Sequence, residues 1–123
     1  AVKEARYHRE HAADWVVRLG DGTDESTRRM ARALERLWPY CAELFDADET
    51  DREAAAQGLG PAWSALEEAW RADVSAVLQE AGMALPADSA FRSDGKRGRH
   101  SEHMGRLLAE MQYLHRAFPG GVW

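Results

Sequence analysis

The sequence predicts an all-α protein. Almost every segment repeats its apolar residues with the helical period of about 3.6, and none alternates cleanly between apolar and polar residues as a half-buried strand does. Clusters of glycine and proline divide these segments into helices of ordinary length. Together the patterns favour a bundle of amphipathic helices, each burying one stripe of side chains.

The first two predicted helices are joined by a short turn. Helix one covers residues 2–19, and Gly20 is expected to end it in the left-handed conformation. Thr23 is a natural N-cap for helix two, which Pro39 is expected to kink. A turn this short predicts two antiparallel neighbours. The stripe that helix one is expected to bury consists of Ala5, His8, Ala12, Trp15, Val16 and Leu19.

Caps and stops mark the remaining helices. The run that begins at Thr50 reads as a capping box for a short third helix, and Pro61 is the expected first residue of a fourth. Residues 83–100 are expected to form a long loop, after which Ser101 caps a fifth helix. The apolar seam of that helix is Met104, Leu107, Leu108, Met111, Leu114 and Phe118.

Composition excludes several classes of protein. The chain has 123 residues, 45% of them hydrophobic and 30% charged, which is too apolar for a disordered polypeptide. Its net charge of −5 argues against nucleic acid as a partner, and no apolar run approaches the ~20 residues of a membrane span. The N-terminal residues lack the pattern of a signal peptide. A single cysteine, Cys41, fits a reducing compartment, so we expect a cytoplasmic protein.

The chain opens inside a helical pattern, without a cap or an initiator methionine. We therefore expect residues 1–123 to be the C-terminal part of a single domain whose N-terminal half is absent. Without that half, the apolar stripes of helices one, two and five would face water, at a cost of ~25 cal/mol per Å². We expect such a chain to self-associate or to remain bound to its other half.

One pattern in helix one bears on metal chemistry. Glu-x-x-His on a helix is the signature of di-iron bundles, because positions i and i+3 share a face. Here Glu4 is followed at i+3 by Tyr7, and no second copy of the motif occurs. We interpret Glu4 and Tyr7 as degenerate ligand positions, in a buried or semi-buried hydrogen-bonded cluster with His8 and His11. The alternative is a metal site that uses Glu4, His8 and His11 with ligands from outside this chain.

A basic loop is the second candidate site. It holds Arg92, Lys96, Arg97 and Arg99 between glycines, just before a predicted helix N-terminus, and such a place attracts phosphate or carboxylate groups. The alternatives are a solvated loop with scattered charge and a contact with an acidic partner surface. Cys41 lies on an apolar stripe and is interpreted as a small core residue without a catalytic role.

These residues also carry a family resemblance. Residues 3–30 and 100–123 resemble the corresponding stretches of the structural, non-catalytic C subunit of the 1,2-phenylacetyl-CoA epoxidases. The most distinctive parts are Arg-Leu-Gly-Asp-Gly-Thr at residues 18–23 and Leu-Leu-Ala-Glu-Met-Gln-Tyr at residues 107–113. The resemblance covers essentially the whole chain, and proteins of that family are about twice as long.

The resemblance implies a ferritin-like helical fold and a structural role in aerobic phenylacetate degradation. In that family the subunit pairs with a homologous catalytic subunit that holds the di-iron centre, and the complex inserts one oxygen atom from O2 across the aromatic ring of phenylacetyl-CoA. Other subunits of the complex and a flavin and iron–sulfur reductase would be indirect partners.

This chain would then hold no cofactor, no metal and no catalytic residue. Two rival functions stay open. One is a di-iron oxygenase in its own right. The other is a module that binds the CoA moiety through the basic loop, residues 92–99.

Overall fold

Six α-helices account for most of residues 1–122, which the computed structural model describes. No strand forms within these residues, where the one extended pairing is an isolated antiparallel bridge between Asp94 and Arg99. The predicted all-α class is confirmed. The helices are α1 (Val2–Gly20), α2 (Asp24–Leu37), α3 (Glu49–Ala56), α4 (Glu67–Glu80), α5 (His103–Met111) and α6 (Tyr113–Ala117).

The chain divides into two compact units, Ala1–Arg92 and Ser93–Trp123. The first contains α1 to α4, and the second contains the basic turn with α5 and α6. The prediction that the chain is part of one ferritin-like domain stays a prediction. Among residues 1–122, no helix combines the length and the apolarity needed to cross a membrane.

The connection between α1 and α2 follows the prediction in one respect and departs from it in another. The Thr23 hydroxyl accepts the backbone N–H of Ser26, whose own hydroxyl accepts the Thr23 N–H, so the predicted N-cap is confirmed. Gly20, however, is the last helical residue and has no positive φ. The prediction of a left-handed stop there was wrong, because Asp21 ends the helix with an ordinary φ of −97°.

The predicted second helix does not only kink near Pro39 but changes there from an α-helix to a 3₁₀-helix. The α-helical part ends at Leu37, and the chain continues as a 3₁₀-helix over Trp38–Phe45, with Pro39 in its first turn. This tighter segment brings Trp38 against Trp70 of α4, with ring centroids 5.7 Å apart in a stacked arrangement. Trp38 is among the few buried side chains, so the segment helps to form the core.

Two predicted helix starts were displaced. Asp48 caps α3, because its carboxylate accepts the N–H of Asp51, and Thr50 lies inside the helix. Pro61 was predicted as the first residue of the fourth helix, but a 3₁₀ turn over Trp63–Leu66 precedes α4.

The second unit also differs from prediction at its helix start. Ser101 makes no side-chain cap; its carbonyl oxygen instead accepts the Met104 N–H at 3.1 Å. The predicted fifth helix is interrupted at Gln112 into α5 and α6. Its apolar seam is exposed apart from the half-buried Met104, as expected for stripes without a covering helix, and Met111 is 71% exposed.

The core of the first unit is small. In residues 1–122 the buried hydrophobic side chains are Trp38, Leu78 and Ala81. They lie where α4 and the 3₁₀ segment Trp38–Phe45 meet the rest of the unit, and α1 packs against both α2 and α4. Much of the outward surface of α1 is therefore open to solvent, and this surface carries the candidate metal-ligand positions.

Candidate functional site on the first helix

One exposed face of α1 carries the polar and aromatic residues of interest. At about 100° per residue they fall within an arc of about 120° of the helix. All of them are exposed. We call this set the α1 stripe, and its members are Glu4, Tyr7, His8, His11, Asp14, Trp15 and Arg18.

The opposite face of α1 makes the packing contacts. Ala13, Val16 and Val17 are half-buried and Gly20 is buried, which places this face against α2 and α4. Of the six residues predicted to be buried in this helix, Val16 is half-buried and the other five are exposed, with Leu19 at 39% and Trp15 at 47%. Within residues 1–122, α1 approaches its neighbours through its small residues, and large apolar side chains such as Trp15 stay outside these contacts. Burial of the predicted stripe by helices from outside this chain stays a prediction.

Ring contacts link successive turns of the α1 stripe. Tyr7 stacks on His11 with centroids 6.0 Å apart, and His11 meets Trp15 edge to face at 6.5 Å. The Arg18 guanidinium lies 5.0 Å from the Trp15 ring centroid, within the range of a cation–π contact. His8 touches Tyr7 edge to face at 5.6 Å. The rings of the α1 stripe therefore contact one another in an unbroken series, which ends at the positively charged guanidinium of Arg18.

Within this chain, the residues of the predicted polar cluster lie on an exposed face of α1. Tyr7 is 62% exposed, and Glu4, His8 and His11 are exposed as well. The rings of Tyr7, His8 and His11 meet one another, so stacking and edge contacts organise this part of the helix. Among residues 1–122, no neighbouring element covers this side of the helix, and the expectation of a buried, hydrogen-bonded cluster stays a prediction.

The donor set of the stripe does not fit an iron pair by itself. A bundle di-iron site draws carboxylates from four helices and histidines from two of them. Among residues 1–122, no three His, Cys, Asp or Glu side chains lie close enough together to hold a metal ion. Tyr7 occupies the i+3 position from Glu4, where the motif requires an imidazole. Whether Glu4 and Tyr7 are degenerate ligand positions stays a prediction.

The predicted basic loop is divided between the two units. In the first unit, the Arg92 guanidinium donates to the backbone oxygens of Ser89, at 2.6 Å, and Phe91, at 2.9 Å. In the second unit, Arg97 pairs with the Asp94 carboxylate at 2.9 Å. Lys96 lies in the same 3₁₀ turn, and Arg99 closes the bridge to Asp94.

Part of the positive charge in the second unit is therefore already balanced within the turn. Binding of CoA or of a partner through Arg92, Lys96, Arg97 and Arg99 stays a prediction.

A cavity in the first unit was not anticipated from the sequence. It has a volume of about 330 Å³ and is lined by aromatic rings that include Trp38, Trp70 and Phe45. Arg71 lies at its wall, where it bonds to the carboxylates of Glu67, at 2.9 Å, and Asp88, at 3.1 Å. Both hydrogen bonds raise the pKa of Arg71. The residues that line the cavity are far apart in the sequence, so no sequence motif predicts it.

Cys41 also lines this cavity and is half-buried, which agrees with a packing role. Burial raises the pKa of its thiol, and the positive charge of Arg71 partly offsets that effect. A thiol of this kind is mostly protonated near neutral pH and is a weak nucleophile.

Comparisons with known proteins identify the family. Residues 1–123 match the family described as phenylacetic acid catabolic protein. The chain is 47% identical over 123 residues to the C subunit of the 1,2-phenylacetyl-CoA epoxidase of Escherichia coli (strain K12). The alignment covers 100% of this chain and 50% of the relative, so the chain spans about half the length of the curated relative it matches. The family and the six helices agree with the ferritin-like, all-α fold expected from the resemblance, and the chain belongs to the phenylacetic acid catabolic protein family.

Proposed function

We propose that this chain is part of a structural, non-catalytic subunit of a phenylacetyl-CoA epoxidase complex. Its role is to support a separate, homologous subunit that carries the di-iron centre. The observation that carries the proposal is the pair Glu4 and Tyr7, which has the spacing of the di-iron motif Glu-x-x-His but a tyrosine in place of the histidine. Identity of 47% with the C subunit of such an epoxidase supports the assignment to this subunit type.

The chemistry of the i+3 position supports a structural role. A neutral imidazole offers a nitrogen lone pair to a metal near pH 7, whereas a tyrosine phenol must first lose a proton with an ordinary pKa near 10. Tyr7 is engaged in ring contacts with His8 and His11. The proposal therefore gives α1 a packing and recognition role and leaves the oxygen chemistry to the partner.

Exposed apolar surface supports a role in assembly. The seam of α5 and α6 leaves Leu107, Met111, Leu114 and Phe118 open to solvent, with Met111 71% exposed. Contiguous surfaces of this kind, rich in Leu, Met and aromatic residues, are typical of protein interfaces. Such a seam requires a covering surface from outside residues 1–122, which the rest of the subunit or another subunit of the complex would supply.

Metal analysis of matched variants tests the proposal. The subunit, expressed at the full length of its relative, would be purified from iron-replete cells as wild type, as Glu4→Ala and as Glu10→Ala, a control on the same helix outside the α1 stripe. We expect all three to hold equally little iron by elemental analysis. A tagged chain co-expressed with the homologous catalytic subunit should bring that subunit down with its iron.

The rival function makes the opposite prediction for the same samples. A di-iron oxygenase that uses Glu4, His8 and His11 would hold stoichiometric iron in the wild type and in Glu10→Ala. It would lose that iron in Glu4→Ala. This pattern, together with epoxidation of phenylacetyl-CoA by the chain without its partner, would replace the structural proposal.

A further inference from the structure

Residues 83–92, which follow α4 in the first unit, form neither a helix nor a strand, and we call them the strap. Gly82 precedes the strap with a positive φ of 68°, a conformation that glycine adopts without strain. Within residues 1–122, the backbone of residues 84–92 exchanges no backbone hydrogen bond with a helix. Side-chain contacts therefore hold this part of the strap in place.

Two of these contacts fasten the far end of the strap to the first unit. The Arg71 guanidinium of α4 donates a hydrogen bond to the Asp88 carboxylate at 3.1 Å. The ring of Phe91 meets that of Tyr40, in the 3₁₀ segment, edge to face with centroids 5.2 Å apart. One attachment is an ion pair and the other is a pair of rings, so each can be removed separately.

Arg71 keeps its position when Asp88 moves away. Its guanidinium also donates to the carboxylate of Glu67, on the same helix, at 2.9 Å, and it lies 5.7 Å from the centroid of the Trp38 ring. Glu67 therefore still balances the charge of Arg71 after Asp88 is released. Ion pairs of this kind, outside a protected core, contribute at most about 1 kcal/mol to stability, so the attachment is reversible.

The end of the strap is a compact turn held by its own residues. Arg92 donates to the backbone oxygens of Ser89, at 2.6 Å, and of Phe91, at 2.9 Å. The Phe91 N–H in turn donates to the Ser89 hydroxyl at 3.0 Å. None of these three bonds reaches outside the strap, so the turn keeps its shape when the attachments to Arg71 and Tyr40 break.

The strap also supplies part of the wall of the cavity described above. Asp88, Ser89 and Arg92 line it from the strap, and the 3₁₀ segment and α4 supply most of the remaining wall. Cys41 lies on the 3₁₀ side of the cavity and is half-buried. Movement of the strap therefore changes access to the aromatic rings and to this thiol.

From these contacts we propose that the strap opens from the cavity in one piece, with Gly82 as its hinge, while α1 to α4 stay folded. Segments held by few contacts open at a lower free energy than the whole fold. Opening removes one wall of the cavity, and closure restores it, so the strap controls access to the cavity. The proposal rests on contacts within the first unit and is independent of the proposed structural role.

The rate at which Cys41 reacts with N-ethylmaleimide measures the opening. The subunit would be labelled at full length, and mass spectrometry of the peptide that contains Cys41 would give the rate. We expect wild type to react at least tenfold more slowly than the urea-unfolded subunit. Asp88→Asn should accelerate labelling about threefold and Phe91→Ala about fivefold, because each removes one attachment.

Two control variants separate opening of the strap from other causes. Glu67→Gln removes the other carboxylate bound to Arg71, with the same change in charge as Asp88→Asn, but leaves the strap attached. Asp48→Ala removes the cap of α3 and weakens the fold away from the strap. Both should label within about twofold of wild type. Added salt should accelerate labelling of the wild type, whose ion pair it screens, and leave Asp88→Asn unchanged.

Three results would overturn the proposal. The first is a wild-type rate equal to that of the unfolded subunit, which would mean that the strap does not cover the thiol. The second is equal acceleration by Asp88→Asn and Glu67→Gln, which would attribute the effect to charge. The third is an acceleration by Asp48→Ala as large as that by Phe91→Ala, which would show that the thiol reacts after the whole unit unfolds.

Discussion

A Cβ atom added at Gly20 would lie 2.7 Å from the Cβ atom of Ala81, closer than two carbon atoms can pack. The same atom would meet the Ala81 carbonyl oxygen at 3.0 Å and the Met83 sulfur at 3.2 Å. The end of α1 and the end of α4 therefore touch through backbone and a single methyl group. Glycine is required at residue 20 by the approach of these two helices, since its φ is not positive.

Gly20→Ala is expected to destabilise the first unit by about 1–3 kcal/mol, because the added methyl group forces the two helix ends apart. Urea denaturation followed by tryptophan fluorescence would measure the loss. Gly60→Ala is the control, since nothing lies within 4 Å of its Cβ position, and it should be neutral or slightly stabilising. Combining Gly20→Ala with Ala81→Gly should recover part of the loss, and a double variant without any recovery would contradict this explanation.

The start of α3 offers a test of two capping residues that lie two positions apart. Asp48→Ala removes the acceptor of the Asp51 N–H and should cost about 1 kcal/mol. Thr50→Ala alters a residue inside the helix and should change stability by only a few tenths of a kcal/mol. Thermal unfolding followed by circular dichroism would compare them. Equal losses would show that Thr50 contributes to the cap as the sequence pattern suggested.

The thiol of Cys41 should titrate at higher pH in the native chain than in the urea-unfolded chain, because burial raises its pKa. The pH dependence of alkylation by iodoacetamide would give both midpoints. Arg71→Met should raise the native midpoint further, since the positive charge of Arg71 lowers the pKa. Arg92→Met, at the same cavity, is the control. A native midpoint at or below that of the unfolded chain would contradict the burial of the thiol.

The structural role predicts little dependence of CoA binding on the basic turn. Reversing Arg97 and Arg99 together to glutamate should leave the affinity of the chain for CoA within about threefold, because the proposed structural role gives the turn no contact with a phosphate. Isothermal titration at low and high salt would measure it. Reversal of Arg32 and Arg36 on α2 is a control with the same change in charge. A selective loss of tenfold or more in the turn variant would favour the CoA-binding function.

Local chemistry made part of the fold predictable. The Thr23 cap could be predicted because its hydrogen bonds reach only to Ser26, three residues away. Positive φ at Gly82, after α4, likewise follows from a glycine at the end of an apolar run. The start of α3 was misplaced because Asp48 and Thr50 are both capping residue types, and the pattern alone does not choose between them.

The buried face of α1 could not be read from apolar residues. Trp15 and Leu19 are among the most apolar side chains of the helix, yet both are exposed, while Ala13 and Gly20 make the contacts. Which residues of α1 are buried depends on how closely α4 packs against it, and the local sequence pattern of α1 does not predict that distance. The α1 residues Glu4, Tyr7, His8 and His11 were found from their spacing, but their exposure and ring stacking depend on what covers the helix.

The small core of the first unit affects which amino-acid substitutions this polypeptide can tolerate. Since only Trp38, Leu78 and Ala81 are buried hydrophobic side chains in the described part of the chain, packing within it places a strict demand on side-chain volume at few positions. In a library of all single substitutions selected for folding alone, most positions should tolerate change. Substitutions should be lost mainly at Trp38, Leu78, Ala81 and Gly20 and at the residues that contact them. Positions that prove intolerant outside this set would report selection for contacts with other polypeptides.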